Sequence, residues 1–438
     1  MTLVDLTPRA TRSDRLATLP VIIIGAGPIG LAAAANLADR GIAFVVLEAG
    51  REPAAAIRQW GHTRLFSPWR HLIDPASRRL LEAAGWTAPR DEGVAPTGAE
   101  LVHDYLAPLA ALDAVRPHVQ YGMRVVAVSR EGMDRTRTAG RPETPFLVRV
   151  RTWDDGVEEL TGRAVIDASG TYSTPNPLGS SGLRPLGAAD ADEFVWHALP
   201  DVLGADRPHF AGRHTTVVGA GHSAANTLIA LAKLADDAPG TRVTWLIRNA
   251  SAVRVSSSAD DELADRARLG SRVDQLVDSG AVTKIDSYEI SGVTRHGDGV
   301  RLTGRRRGEP ATHDTDLVVN ATGFRPDLDM LREIRLGLDD IVEAPVRLAP
   351  LIDPNLHSCG TVPPHGFDEL RHPEPGFFIV GMKSYGRAPT FLLATGYEQV
   401  RSVTAWIAGD MPAATRVQLT LPATGVCSTD LGGGSCCS

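Results

Sequence analysis

The fold is decided by a stretch that the chain carries twice in outline, as VIIIGAGPIG at residues 21–30 and as TTVVGAGHSA at residues 215–224. Each copy predicts an apolar strand, a glycine turn and the start of a helix, because a β-branched run is followed by glycines and then by alanine- and leucine-rich sequence. A second strand follows each helix, at residues 44–47 and 243–247. Two βαβ units of this kind predict an α/β protein with two Rossmann-like dinucleotide-binding domains.

The first glycine motif meets the physical demands of nucleotide binding. Gly25 permits a tight turn, Gly27 lets backbone N–H groups approach a pyrophosphate, and Gly30 lets the helix pack closely on the sheet. Glu48 ends the next strand, where its carboxylate can accept hydrogen bonds from a ribose diol. Because a carboxylate repels a 2′-phosphate, the motif favours FAD or NAD over NADP.

The second glycine motif differs at two informative positions. Ala224 replaces the third glycine, which still permits close helix packing. Its second strand ends in Arg248 rather than in an acid, and an arginine can pair with the 2′-phosphate of NADPH. The alternative for Arg248 is a solvent-exposed strand end in an arginine-rich chain.

The domain organisation follows from a second repeated pattern. DASG at residues 167–170 ends one strand, and LVVNATG at residues 317–323 returns after the second nucleotide unit. This order predicts a second domain at 200–318, inserted into a first domain made of residues 1–199 and 319–415. Residues 416–438 turn to Pro, Thr, Gly and Ser, which predicts a flexible tail.

Composition excludes several classes of protein. The chain has 438 residues, enough for two or three domains, with 43% hydrophobic and 22% charged residues and a net charge of −7. A nucleic-acid binder needs a concentrated basic face, and the densest basic run, at residues 305–307, is short. Glycines and a proline interrupt the uncharged stretch at 19–38, and residues 1–16 hold no apolar signal core. We therefore expect a cytoplasmic protein that does not cross a membrane.

Two nucleotide units in this order, with Ala321-Thr322-Gly323 after the second, resemble the two-dinucleotide-binding flavoproteins, which include thioredoxin reductases and flavin-containing monooxygenases. The second glycine motif and VNATGFRP at 319–326 are most similar to the monooxygenases, whereas their Phe-x-Gly-x-x-x-His-x-x-x-Tyr/Phe signature is not found before that motif. GFFIVG at 376–381 resembles the last strand of the FAD domain, and a helix from about Thr390 would point its N-terminus at the flavin. The resemblance implies FAD in the first domain and NADPH in the second.

The residues assigned to the two cofactors lie in and after the glycine motifs. They are Gly25, Gly27, Pro28, Ile29, Gly30 and Glu48 for FAD, and Gly219, Gly221, His222, Ser223, Ala224, Arg248, Ala321, Thr322 and Gly323 in the NADPH unit and the segment that closes it.

A closer resemblance is to the flavoprotein monooxygenases encoded beside arsenic-resistance genes, through WGHTRLFSPW at 60–69 and SYGRAPT at 384–390. It implies oxygen chemistry in which a C4a-hydroperoxyflavin delivers one oxygen atom to a small soft substrate, such as trivalent arsenic. Candidate catalytic residues beside the flavin are Arg64, Trp69 and Lys383. A packing role for Trp69 and a solvent- or phosphate-facing role for Lys383 are the alternatives.

The cysteines pose a separate question. The chain has no Cys-x-x-Cys pair, Cys359 is solitary, and Cys427, Cys436 and Cys437 lie close together in the tail. Three thiolates can bind a thiophilic metal or metalloid ion, and the vicinal pair resembles the end of mercuric reductases. Electrons from NADPH then have three possible acceptors, which are O₂, a bound substrate and the tail thiols. The alternatives to a monooxygenase are a reductase acting through Cys436 and Cys437, a non-catalytic flavoprotein that sequesters metal, and a tail without a specific role; a homo-oligomer is compatible with all of them.

Overall fold

The computed structural model describes residues 12–251, 264–356, 362–389 and 391–419. Its strands are β1 (Val21–Ile24), β2 (Phe44–Glu48), β3 (Val119–Tyr121), β4 (Arg124–Arg130), β5 (Phe146–Arg151), β6 (Val157–Gly162), β7 (Ala164–Asp167), β8 (Val195–Trp196), β9 (His214–Val218), β10 (Arg242–Leu246), β11 (Thr283–Ile285), β12 (Tyr288–His296), β13 (Gly299–Arg306), β14 (Glu309–Thr315), β15 (Leu317–Asn320) and β16 (Phe377–Ile379). Its α-helices are α1 (Arg12–Thr18), α2 (Pro28–Asp39), α3 (Ala55–Gln59), α4 (Pro75–Ala83), α5 (Gly98–Leu101), α6 (Ala107–Ala111), α7 (Arg207–Phe210), α8 (His222–Asp237), α9 (Ala264–Asp278), α10 (Ala349–Ile352), α11 (Leu393–Ile407) and α12 (Met411–Thr415).

The first nucleotide unit lies in a five-stranded sheet with the order β16-β7-β1-β2-β3, and all of its strand pairs are parallel. β1 is fully buried, as its run of valine and isoleucine predicts for a central parallel strand. Because β16 follows the second nucleotide unit in the chain, residues from both sides of that unit build this sheet. The predicted fold class, two Rossmann-like domains with one inserted into the other, is confirmed.

The second nucleotide unit lies in a sheet of its own, with the order β11-β10-β9-β15-β8 and parallel pairing throughout. β8, at Val195–Trp196, precedes the predicted domain start at residue 200, and β15 runs past the predicted end at 318 to Asn320. A strand of only two residues after a loop rich in glycine and proline gives no periodic pattern, which is why the sequence did not indicate it. Most of the buried apolar residues described in this domain belong to one cluster, which begins at Leu178 and ends at Ala321.

Two antiparallel sheets complete the domains, β4-β5-β6 in the first and β12-β13-β14 in the second. The helical segment at residues 98–111 consists of α5 and α6, joined by a π-helical turn at Val102–Leu106. Thr97 and Glu100 close its N-terminus with a capping box. Within the described ranges, no helix has the length and hydropathy needed to cross a bilayer.

The two connections between the domains pair with each other. Pro175 and Phe324 form an antiparallel bridge. The Asn176 N–H donates to the Gly323 carbonyl at 2.9 Å, and the Arg325 N–H donates to the Thr174 carbonyl at 3.0 Å. The chain therefore enters and leaves the inserted domain side by side.

Candidate functional site

The first glycine turn lies at the carboxyl end of β1, and its three glycines have different surroundings. Gly25 has a φ of +98°, and a Cβ there would lie 2.9 Å from the Ala168 carbonyl oxygen. A Cβ on Gly30 would lie 1.9 Å from the Gly25 oxygen, whereas one on Gly27 would meet nothing within 4 Å. The fold itself thus requires Gly25 and Gly30, and the space at Gly27 is open to a ligand.

Glu48, at the end of β2, is hydrogen-bonded to the backbone of this turn. Its carboxylate accepts hydrogen bonds from the Ala26 N–H at 2.6 Å and the Gly50 N–H at 2.7 Å. A carboxylate has about four acceptor positions, so these bonds leave acceptor capacity for the predicted ribose hydroxyls. Glu48 therefore shapes the turn before any nucleotide arrives.

The second glycine turn repeats this arrangement. Gly219 has a φ of +137° and a Cβ there would lie 2.1 Å from the Ala321 oxygen, while Gly221 again faces open space. The Trp245 indole N–H donates to the Gly219 carbonyl at 2.7 Å. Ala224 is fully buried, and its small side chain lets α8 approach the sheet.

The two helices that follow the glycine turns, α2 and α8, have no side-chain cap at their N-termini. Among α2, α4, α8 and α11, the helices of eight or more residues whose N-caps are described, only α4 has a side-chain cap, Asp74. The N-caps of α2, α8 and α11 are Gly27, Gly221 and Leu392, which give their first N–H groups no side-chain acceptor. Uncapped N-termini are suited to phosphate or to an anionic ring. α11 begins three residues after the predicted start at Thr390, which lies outside the described residues.

The segment after β15 links the second turn to the interdomain connections. The Thr322 hydroxyl donates to the Asn320 side-chain oxygen at 2.7 Å, and the Asn320 amide donates to the Asn176 carbonyl at 2.8 Å. The Asn176 amide in turn donates to the Thr322 carbonyl at 3.2 Å. Ala321, Thr322 and Gly323 therefore lie where the second nucleotide unit meets the two interdomain connections, and Asn176 joins them although its sequence context gave no signal.

Arg248 lies just after β10, on the surface of the second domain. Its guanidinium donates to the Ser180 carbonyl at 3.1 Å. The side chain remains exposed, so its other N–H groups can face a ligand.

The loop that carries two candidate catalytic residues is held by backbone bonds. The Leu65 N–H donates to Pro96 at 2.8 Å and the Trp69 N–H donates to Val94 at 3.1 Å. The Arg64 guanidinium donates to the Ala95 carbonyl and lies 3.8 Å from Glu100, with about half of its side chain exposed. Trp69 is 6% exposed and belongs to the core of the first domain, as its packing alternative predicted.

The same loop reaches the second domain through an aromatic contact. The ring centroid of Phe66 lies 5.2 Å from that of His222, the first residue of α8, and Phe66 packs on the second domain's core. The sequence placed these residues in separate motifs. The contact brings the loop of the first domain to the N-terminus of α8.

Lys383 lies in a buried ion pair. Its ammonium group is 2.7 Å from an oxygen of Asp167, and both side chains are 0% exposed. It has no surface to offer a substrate in this structure, which disagrees with the predicted catalytic role. Asp167 was visible in the sequence only as an acid at the end of an apolar strand.

The predicted metal ligands Cys427, Cys436 and Cys437, together with Cys359, lie outside the described residues. Among the residues that the structure does describe, no three His, Cys, Asp or Glu side chains are grouped in a way that could hold a metal ion.

His365 is buried beside Gln399, whose amide donates to it at 2.9 Å, and burial lowers the pKa of His365.

Comparison with known proteins defines the class. A family model for the pyridine nucleotide-disulphide oxidoreductases matches residues 19–346, so the chain belongs to that family. Open space at Gly27 and Gly221, beside uncapped helix N-termini, fits a dinucleotide at each turn. The chain is a flavin-dependent pyridine-nucleotide oxidoreductase with FAD and NADP(H) as cofactors, which confirms those predictions.

The individual relatives include both monooxygenases and reductases. The chain is 29% identical over 203 residues to the indole-3-pyruvate monooxygenase YUCCA6 of Arabidopsis thaliana, covering 46% of this chain and 42% of that protein. It is 27% identical over 231 residues to YUCCA1 of Oryza sativa subsp. japonica, covering 52% of this chain and 47% of that protein. The alignments thus span less than half of these relatives.

Two solved structures show the same fold over nearly the whole chain. The bacillithiol disulfide reductase Bdr of Bacillus cereus has a TM-score of 0.66 at 22% identity, covering 89% of this chain and 99% of that one. The cadaverine monooxygenase DfoA of Erwinia amylovora has a TM-score of 0.64 at 15% identity, covering 92% and 97%. The link to arsenic-resistance genes stays a prediction.

Proposed function

We propose that the protein is an FAD- and NADPH-dependent monooxygenase acting on a small, soft substrate. The observation that carries this proposal is the position of the cysteines, since the first cysteine in the sequence is Cys359. The other three are Cys427, Cys436 and Cys437, so the glycine turns, the loop at 60–71 and the segment 381–389 contain no thiol. A disulfide reductase needs a thiol pair that can exchange electrons near the flavin, so O₂ or a bound substrate is the better acceptor.

Bound FAD would supply hydride acceptance from NADPH and reaction with oxygen. The protein's own residues would bind and orient. Gly27 and Gly221 would admit the two pyrophosphates, and Glu48 would hold the first turn in shape. The Phe66–His222 contact would limit water at the junction of the two sites.

The curated relatives support oxygen chemistry because both are monooxygenases by name. The solved structures do not discriminate, since they include a disulfide reductase and a monooxygenase at similar TM-scores. For the substrate we propose a trivalent metalloid such as arsenite, delivered by Cys427, Cys436 and Cys437, because soft thiolates prefer soft ions. In this proposal the tail captures the ion and the flavin site oxidises it.

The test measures NADPH oxidation, O₂ uptake and peroxide release with arsenite, antimonite, an organic sulfide, a simple ketone and indole-3-pyruvate. A true substrate should accelerate NADPH oxidation without an equal release of peroxide, and ¹⁸O from ¹⁸O₂ should appear in the product. Oxygen-independent NADPH oxidation, or full recovery of the electrons as peroxide with every compound, would overturn the proposal.

A variant with all three tail cysteines changed to serine tests the metalloid. It should lose the response to arsenite and keep the response to a non-metal substrate. Loss of all turnover would instead support a reductase that passes electrons through Cys436 and Cys437.

Arg248 carries the NADPH preference in this proposal. R248A should raise the KM for NADPH by about tenfold, the order expected for one charge-assisted phosphate contact, and should leave the KM for NADH within about twofold. R213A, which removes another exposed arginine of the same domain, is the control. An equal rise in the KM for NADPH and for NADH would show that Arg248 does not contact the 2′-phosphate.

A further inference from the structure

A buried ion pair lies directly behind the first glycine turn, and none of the residues assigned to FAD belongs to it. The Lys383 ammonium group donates to Asp167 Oδ2 at 2.7 Å and to the Ser169 hydroxyl at 3.1 Å. The Ser169 hydroxyl and N–H donate to the other oxygen of Asp167 at 2.6 and 3.1 Å. The three residues are joined to one another by these hydrogen bonds; Asp167 and Lys383 are buried, and Ser169 is exposed.

The cluster is one residue away from the turn. Asp167 is followed by Ala168, whose N–H donates to the carbonyl of Ile24 at 2.9 Å, immediately before Gly25. The Ala168 oxygen would lie 2.9 Å from a Cβ on Gly25, so the two turns are in contact. Lys383 reaches this point from the other half of the first domain, because it follows β16. The ion pair thus joins the two halves that the inserted domain separates in sequence.

Stability alone is a weak reason to keep such a pair. Burying two charges costs desolvation energy, and a well-packed apolar pair is often at least as stable. The chain has only three lysines, at 233, 284 and 383, and places one of them in this fully enclosed position. The Asp167 carboxylate accepts hydrogen bonds from Ser169 within the 167–170 turn. An apolar pair could not make these bonds, which hold that turn in one conformation against the glycine turn.

We propose that Lys383 is a positioning residue which, through Asp167, preorganises the first glycine turn and so sets the affinity for FAD. The inference concerns FAD binding alone. It therefore holds whether or not O₂ is the electron acceptor.

The chain offers a control at the other end of β16. Glu374 precedes that strand and lies 2.8 Å from both Arg130 and Arg141, with all three side chains at most 2% exposed. This second buried charge cluster lies in the same domain and contacts none of the glycine-turn residues through any described bond. R141M removes one of its two ion pairs and leaves Arg130 beside Glu374, so it should destabilise the domain without altering the FAD site.

The experiment compares K383M, the neutral double variant D167N/K383M and R141M. Dissociation constants for FAD and for NADP⁺ are measured on folded apoprotein by titration, and unfolding free energies by urea. K383M and D167N/K383M should bind FAD about tenfold more weakly, as expected when a binding turn loses preorganisation. R141M should stay within about twofold of wild type for FAD, and all variants should bind NADP⁺ normally.

The double variant separates positioning from stability, because it removes the unpaired charge that K383M leaves behind. It should recover unfolding free energy relative to K383M but not FAD affinity. The proposal is overturned if FAD affinity returns together with stability, or if R141M weakens FAD binding as much as K383M does. Should K383M fail to fold, the double variant compared with wild type and R141M decides the question.

Discussion

At the scale of single residues, Gly27 and Gly30 differ in the space around the position where a Cβ would lie. Gly27 has φ −78° and ψ −174°, a conformation open to any residue, and nothing lies near its missing Cβ. Gly30 is closed off by the Gly25 carbonyl. The sequence predicted separate roles for the two glycines, and the structure adds what a Cβ would meet at each position.

We therefore expect opposite results from two alanine substitutions. G27A should leave the unfolding free energy of the apoprotein within about 1 kcal/mol of wild type and should weaken FAD binding at least about tenfold, because the new methyl group occupies the pyrophosphate approach. G30A should cost about 3 kcal/mol through its backbone clash. Urea unfolding and FAD titration measure both. Unimpaired FAD binding by G27A would mean that the pyrophosphate does not approach there.

Asp74 is a residue whose charge opposes folding. It caps α4 by accepting from the Ser77 N–H at 2.8 Å, and burial raises its pKa to about 6. Because the folded pKa exceeds the unfolded one, the contribution of Asp74 to stability is fully present below about pH 4 and is lost as the pH rises through 6.

The variant D74N should remove this pH dependence. Between pH 4 and 7 the stability difference between wild type and D74N should change by about 2–3 kcal/mol in the direction that disfavours wild type at high pH. Comparing the two proteins cancels His313 and His372, whose pKa values burial lowers to about 4 and which act in the opposite direction. If the urea midpoints of wild type and D74N change with pH by the same amount across this range, Asp74 does not titrate there.

At the scale of elements, the long helices whose N-caps are described differ in capping, since α4 has a side-chain cap and α2, α8 and α11 have none. α2 and α8 begin at glycines, whereas α4 begins at Asp74, which satisfies its own helix. A bound phosphate would supply the acceptor that α2 and α8 lack.

Hydrogen exchange should reveal this division. FAD should slow exchange in the first turn of α2, and NADP⁺ should slow it in the first turn of α8. The first turn of α4 should be unaffected by either nucleotide. Peptide-level mass spectrometry of the apoprotein and of each complex measures this, and protection spread evenly over all three helices would contradict local phosphate binding.

The sequence predicted the local elements of the fold but not the contacts between residues far apart in the chain. Both glycine turns, their strands and the insertion follow from local patterns, because glycine spacing and β-branched runs are read within about ten residues. The ion pair of Asp167 with Lys383 joins residues 216 positions apart, and the Phe66–His222 contact joins two domains. Such contacts depend on how the sheets are placed in space, and a single sequence carries only faint signs of them, such as a rare lysine or an acid at the end of an apolar strand.

At the scale of the whole molecule, the inserted domain is a unit with its own core. Its buried apolar cluster runs from Leu178 to Ala321, and its two chain ends are paired through Pro175 and Phe324. Both features predict that the domain can fold without the rest of the chain.

A fragment of residues 177–321 should therefore unfold cooperatively and bind NADP⁺, without measurable affinity for FAD. Circular dichroism melting and nucleotide titration measure these properties. The full chain with R248A serves as a reference for weakened NADP⁺ binding. A fragment that does not melt cooperatively would show that the first domain, through contacts such as Phe66, is needed for the second to fold.

The paired connections also limit how the domains can move. Two separate tethers would let the second domain twist and shift in several directions. Here the Asn176–Gly323 and Arg325–Thr174 hydrogen bonds fasten the tethers into one ribbon, and a twisted two-stranded ribbon bends more easily across its face than along its width. We therefore expect rotation of the inserted domain relative to the first to occur mainly about one axis, so that the two bound cofactors would approach each other along a single path.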